Sequence, residues 1–259
     1  RRRREPIGGG SMTAAEVICP ICDGTGWKRV EKHGLSAVER CSCANEAIAE
    51  AAFEAANIPL NYDRASLDNF EMPRDNPTAR SGLGRVLMQV RSFVREFPSE
   101  KHPGLLLIGD PGTGKTHLAV GALKALLLKG HRGTFFDYQN LLDRIRSGYD
   151  PASGASDKEA YRSALEADIL LLDDLGSHRV TEWVEDTVTS IITYRCNNRK
   201  PLIATTNLPD AAANGNAEGL SSYKKSLPEV IGLRARSRLY EMCRVVVMPA
   251  VEDYRLRNQ

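Results

Sequence analysis

The sequence predicts an α/β fold, a mostly parallel sheet covered by helices on both faces, and three observations carry that expectation. Short continuous apolar runs, such as Leu105–Ile108 and Ile169–Leu172, recur through the second half of the chain. Strands buried on both faces read this way, whereas half-exposed strands alternate. Between the runs lie stretches with apolar residues at helical spacing. The first run also leads straight into a glycine-rich turn and the start of a helix, the order of a phosphate-binding unit.

Taken in order, residues 43–57 are alanine-rich and helical, and residues 58–77 carry enough Pro, Asp and Asn to read as an extended connector. Residues 81–97 return to helical spacing. The strands follow at 104–109, 133–138, 167–174, 201–207 and 243–249, giving five, with a helix over 116–130 ended by Gly130. No internal repeat is visible.

At 259 residues, 42% hydrophobic and 26% charged, the composition is that of a soluble globular protein with room for a sizeable core. No apolar run approaches the roughly 20 residues that cross a membrane, and no apolar stretch follows the leading arginines as in a signal peptide. The expected location is the cytoplasm. Net charge is +2, of which Arg1–Arg4 with Glu5 contribute +3, leaving −1 for the rest. Residues 1–11 show no periodicity and end in a Gly/Ser linker, so they read as a disordered or read-through segment before a natural start at Met12. A basic arm for nucleic acid is the alternative. With so small a global charge, any nucleic-acid binding needs a local patch.

Four of six cysteines fall between residues 19 and 43: a C-x2-C pair, Cys19 and Cys22, then a C-x-C pair, Cys41 and Cys43. In a cytosolic chain this clustering suggests a metal rather than disulfides. Four thiolates suit Zn²⁺, which gives a short segment its missing core. His33 is an alternative ligand, and four reduced thiols on a loose segment are the bland reading. Cys196 and Cys243 fall in helical patterns and read as packing residues.

Residues 109–117, Gly-Asp-Pro-Gly-Thr-Gly-Lys-Thr-His, fit G-x4-G-K-[ST] between a strand and a helix. Gly109, Asp110, Pro111, Gly112, Thr113 and Gly114 would form the ATP-binding loop, whose glycines let backbone N–H groups turn toward phosphate oxygens at a helix N-terminus. Lys115 would reach the β- and γ-phosphates of ATP, Thr116 would ligate Mg²⁺, and His117 closes the motif. A later strand ends in Asp173 and Asp174, the first expected to hold Mg²⁺ and the second to orient or deprotonate the attacking water. Asn207, at the next strand end, can bond the γ-phosphate or that water. Arg234 and Arg238 share a helix face. They read either as a solvated basic face, a DNA contact, or arginines donated to a neighbour's nucleotide.

This set, with Arg255 of the Glu-Asp-Tyr-Arg stretch near the end, resembles the AAA+ ATPases of the bacterial helicase-loader group, the DnaC/DnaI-like proteins, and their IstB-like relatives. The resemblance runs from about Cys19 to Arg255 and adds the Cys segment and the Ile58–Phe70 connector. It implies an AAA+ P-loop core without a full lid domain, over residues 79–259, a linker over 51–78, and a zinc-bearing domain over 12–50 that binds a DnaB-like replicative helicase. It also implies ATP-dependent self-association, binding of single-stranded DNA, and ATP hydrolysis stimulated by DNA or the partner. Arg238 then matches a trans-acting arginine and Arg234 its companion. The region 138–167 matches a DNA-contacting helix, with Arg144, Arg146, Tyr149, Tyr161 and Arg162 as candidates. Lys224 and Lys225 are a weaker pair. The IstB-like alternative is a transposition helper that binds duplex DNA and a transposase.

Overall fold

The computed structural model describes residues 19–23, 25–32, 35–148, 155–210 and 225–257. They fall into two compact units, one ending at Ile48 and the other beginning at Ala49. The first holds a hairpin that sequence patterning did not reveal: β1 (Trp27–Lys32) pairs antiparallel with β2 (Leu35–Arg40). One face of it carries Trp27, Arg29, Val38 and Arg40, all exposed, so no buried stripe marks it in the sequence. The helix α1 (Ser42–Ala55) follows.

In the second unit α2 spans Pro77–Glu96. Its start is set locally: the Asn76 side chain accepts from Ala79 N, and Pro77 sits where a missing N–H costs nothing. Then come β3 (Gly104–Ile108), α3 (Lys115–Leu128), β4 (Gly133–Asp137), α4 (Tyr138–Ser147) and α5 (Ala155–Glu166). The remainder is β5 (Ile169–Asp173), α6 (Glu182–Asn197), β6 (Leu202–Thr206), α7 (Leu227–Ile231), α8 (Leu233–Met242), β7 (Cys243–Val247) and α9 (Tyr254–Arg257).

The five strands β3–β7 form one parallel sheet in the order β4-β5-β6-β3-β7. Alternate residues of β3 feed opposite cores: Leu105 and Leu107 pack with α2 and α3, while Leu106 and Ile108 face the α6 and α8 side. Both sets are buried, which is why the run is continuous in sequence. Five strands and the α/β class agree with expectation. One local reading is corrected. Cys243 opens β7 rather than lying in a helix, because the run Cys243–Val247 pairs with β3. The 58–77 connector packs on the second unit: Ala65 and Leu67 are buried in the α2–α3 core, and residues 60–62 form a 3-10 turn. Among the described residues no helix is long and apolar enough to cross a membrane.

Candidate functional site

Parallel α/β sheets gather ligands at the carboxyl ends of their strands, and here β3, β4, β5 and β6 end around one cleft of about 550 Å³. After Ile108 the chain turns through Gly109–Gly114 into α3. Gly112 and Gly114 have φ of 73° and 90°, a region side chains avoid. Both are also crowded. A Cβ on Gly114 would lie 2.6 Å from the Phe70 ring, and one on Gly112 would strike the Asp253 carboxylate. Lys115 Nζ donates to Asp110 O at 2.7 Å, and Thr113 Oγ1 donates to the same carbonyl at 2.8 Å. Burial lowers the Lys115 pKa to about 8, although the charges of Asp174, Asp173 and Asp110 oppose that shift.

The carboxylates meet the loop from β5. Asp173 is buried and accepts from Thr205 Oγ1 at 2.6 Å and Thr116 Oγ1 at 3.2 Å. Asp174 lies just past the strand at φ 57°, with its N–H donating to Thr205 Oγ1 at 2.9 Å. Asn207 Nδ2 donates to the Asp174 carboxylate. The loop lysine, both aspartates and the β6-end amide therefore converge. Burial raises the pKa of both aspartates; hydroxyl bonds from Thr205 and Thr116 pull Asp173 back, and Lys115 does the same for Asp174. A hydroxyl and a buried carboxylate on one side of a phosphate loop form a hard oxygen donor set, which fits Mg²⁺.

Several cleft residues were not read from the sequence. Asp137 ends β4 in register with Asp173, lines the cleft, and adds negative charge beside both aspartates. A carboxylate ending an apolar run was a signal there, as it was at Asp173. The segment after β7 returns across the loop: Tyr254 N donates to Gly112 O at 3.1 Å, Tyr254 Oη to Glu71 at 2.8 Å, and Arg255 lines the cleft. His117 contacts the connector, with Nε2 2.9 Å from Ser66 O and 3.1 Å from Asn69 Oδ1, and its ring is edge-on to Phe70.

Other candidates lie apart. Arg234 and Arg238 sit one turn apart on α8, and neither lines the cleft of its own chain. Arg234 is exposed, and Arg238 pairs with Glu241. Arg144 lies over Phe136 and Arg146 over Trp183, at 5.8 and 4.7 Å from the ring centres. Tyr161 Oη is 2.8 Å from Ser190 Oγ, and Arg162 is exposed on α5. Tyr149, Lys224 and His33 lie outside the described residues.

In the first unit the sulfurs of Cys19, Cys22, Cys41 and Cys43 all lie within 4.8 Å of one another. Sulfurs about 2.3 Å from a tetrahedral ion stand about 3.8 Å apart. The Cys19–Cys41 and Cys22–Cys43 separations are 3.8 and 3.4 Å, and all four thiols are free. The set therefore fits a thiolate-bound metal. Asp23 at φ 49° and the bond from Thr25 N to Cys22 O make the turn that brings the first pair together.

Comparison with known proteins agrees with this architecture. The family model described as IstB-like ATP binding protein matches residues 80–214. The crystal structure of the DnaC helicase loader is 35% identical, with a TM-score of 0.60 over 74% of this chain and 100% of that one. The phage-like element PBSX protein XkdC of Bacillus subtilis (strain 168) is 24% identical over 94% of this chain and 87% of its own. The replicative helicase loader DnaC of Escherichia coli (strain K12) is 23% identical over 60% of each chain. On these matches the chain belongs to the IstB/DnaC-like family of AAA+ ATP-binding proteins.

Proposed function

We propose that this chain is an ATP-driven helicase loader: it hydrolyses ATP to ADP and phosphate, and its nucleotide state sets its grip on single-stranded DNA and on a DnaB-like hexameric helicase. The observation that carries the reading is the 35% identity that extends along the whole of the DnaC helicase loader structure. In this reading residues 79–259 are the ATPase domain, residues 51–78 lead into it, and residues 12–50 form a zinc-bearing domain that meets the helicase. Cys19, Cys22, Cys41 and Cys43 hold the zinc.

The backbone N–H groups of Gly112, Thr113 and Gly114 and the Lys115 ammonium grip the phosphates, with Gly109, Asp110 and Pro111 shaping the loop and His117 beside it. Thr116 and, through water, Asp173 would hold Mg²⁺, which would supply neutralisation of the phosphate charge. Asp174 orients the attacking water and takes its proton as the new O–P bond forms and the bond to the ADP oxygen breaks. Asn207 fixes the Asp174 carboxylate, to which it is hydrogen-bonded, and stands ready for the γ-phosphate. Arg255 adds a cation from the chain's own terminal segment. Arg238 and Arg234, remote from this cleft, act on the nucleotide of a second copy in a self-associated assembly. Aspartate, one methylene shorter than glutamate, holds the water less closely at position 174, which suits slow, partner-stimulated turnover. Arg162, with Arg144, Arg146, Tyr149 and Tyr161, supplies the single-strand contact.

The test is anisotropy of labelled single-stranded and duplex DNA under a non-hydrolysable ATP analogue and under ADP. Preference for single strands only with the analogue is expected. Preference for duplex would move the chain to the alternative reading, an IstB-like transposition helper; the matching family model is described as IstB-like ATP binding protein. For the chemistry, Asp174→Asn is expected to lower DNA-stimulated turnover by about a hundredfold or more while ATP binding persists; equal rates would remove Asp174 from the mechanism.

A further inference from the structure

Asp210 is buried, with 2% of its side chain exposed, at the end of the segment that leaves β6. A carboxylate so placed is costly unless it is paired. Arg236 of α8 grips it with both edges of the fork: Nε and Nη2 donate to the two carboxylate oxygens at 2.6 and 2.9 Å. The same guanidinium lies over the Tyr240 ring, 4.5 Å from its centre. Apolar residues of similar volume often match such a pair for stability, so the geometry that the pair imposes is its more distinctive contribution.

That geometry joins two parts of the ATPase site. On one side, Asp210 stands three residues after Asn207, the amide bonded to Asp174. The chain between them is held: Leu208 N donates to Thr206 Oγ1 at 3.1 Å, and Leu227 N donates to Pro209 O at 2.9 Å. On the other side, helix residues two apart point about 200° from each other. With Arg236 turned inward to Asp210, Arg234 and Arg238 are therefore turned away, and Arg234 is exposed.

We infer that the Asp210–Arg236 pair is the positioning link through which a chain's own cleft sets the arginines it offers to a second copy's nucleotide. Movement of Asn207 on meeting a γ-phosphate passes through a short, tethered segment to a bidentate clamp on the helix that carries Arg234 and Arg238. The inference rests on the proposed trans role of those arginines, so its test must separate the two.

Two variants supply the assay. A chain with both Arg234→Ala and Arg238→Ala keeps its cleft but offers no arginine; a chain with Asp174→Asn offers both arginines but does not hydrolyse. Mixed in equal amounts with ATP and single-stranded DNA, they are expected to regain turnover at the clefts of the first. Adding Arg236→Met to the arginine donor should reduce that turnover about ten- to a hundredfold, the scale of a small misplacement of a catalytic group. Adding it to the acceptor should leave turnover largely unchanged. Equal losses in both placements would make Arg236 a general support of the fold, and no loss in the donor would make the pair idle; either result overturns the inference. If the parent variants regain nothing on mixing, the trans reading has failed and the link falls with it. Arg236→Lys, which keeps charge but not the fork, gives an intermediate loss in the donor and serves if the methionine variant folds poorly.

Discussion

Lys115 shows how one buried charge ties the cleft to pH. Its pKa, lowered by burial to about 8, lies below the ordinary 10.5. The unfolded chain therefore holds this proton more tightly, and Lys115's contribution to stability rises as pH climbs from about 8 toward 10.5. Nucleotide binding has the opposite sign. Phosphates favour the ammonium, so above about pH 8 the free protein must take up a proton to bind. ATP affinity should fall by up to about tenfold per pH unit above that point, read by titration of a fluorescent ATP analogue from pH 7 to 9.5. Lys115→Arg, which stays charged, should lose the slope; a slope unchanged in that variant would point to another group. Lys115, Thr116, Asp173 and Asp174 were legible because the loop pattern and strand-end carboxylates are local. Arg255 and Asp137 were not assigned to the cleft, since only folding brings β4 and the terminal segment beside the loop.

At the scale of elements, Arg195 links two parts of the fold. It lies in the last turn of α6. In the fold it is fully buried, and its guanidinium donates to Ala164 O at 3.0 Å, Leu165 O at 3.1 Å and Pro201 O at 2.5 Å. It thus satisfies carbonyls that the last turn of α5 leaves without helical partners, and it ties α5 to the start of β6. Arg195→Met should cost about 3 kcal/mol, because charged bonds are lost and their acceptors stay buried. Urea unfolding would measure this, and a shift below about 1 kcal/mol would mean that water replaces the guanidinium. Since α5 carries Arg162, single-strand affinity should fall with it while ATP affinity holds. Helix patterning reveals spacing but not which polar side chain the neighbouring elements will cover.

Across the whole molecule, two compact units meet within one chain at Ile48 and Ala49. Among its described residues the first has few buried apolar side chains, beside a four-thiol cluster, the pattern of a small domain that needs a metal to hold it. Purified protein should carry about one zinc per chain. Cys41→Ser should lose it and with it the helicase binding proposed for this unit, while ATP binding by the second unit persists; loss of both together would mean that the units fold as one. By itself the sequence determined the α/β class, the five strands, the phosphate loop and the clustering of the cysteines. Each is written in neighbouring residues, as apolar runs, glycines at fixed offsets, or thiols at ligand spacing. Only the tertiary structure decided that Thr205 joins the two aspartates, that Phe70 and Asp253 close on the loop glycines, and that Asp210 clamps Arg236. Those partners are far apart in the chain, and their pairing depends on strand order and burial, which no local pattern encodes.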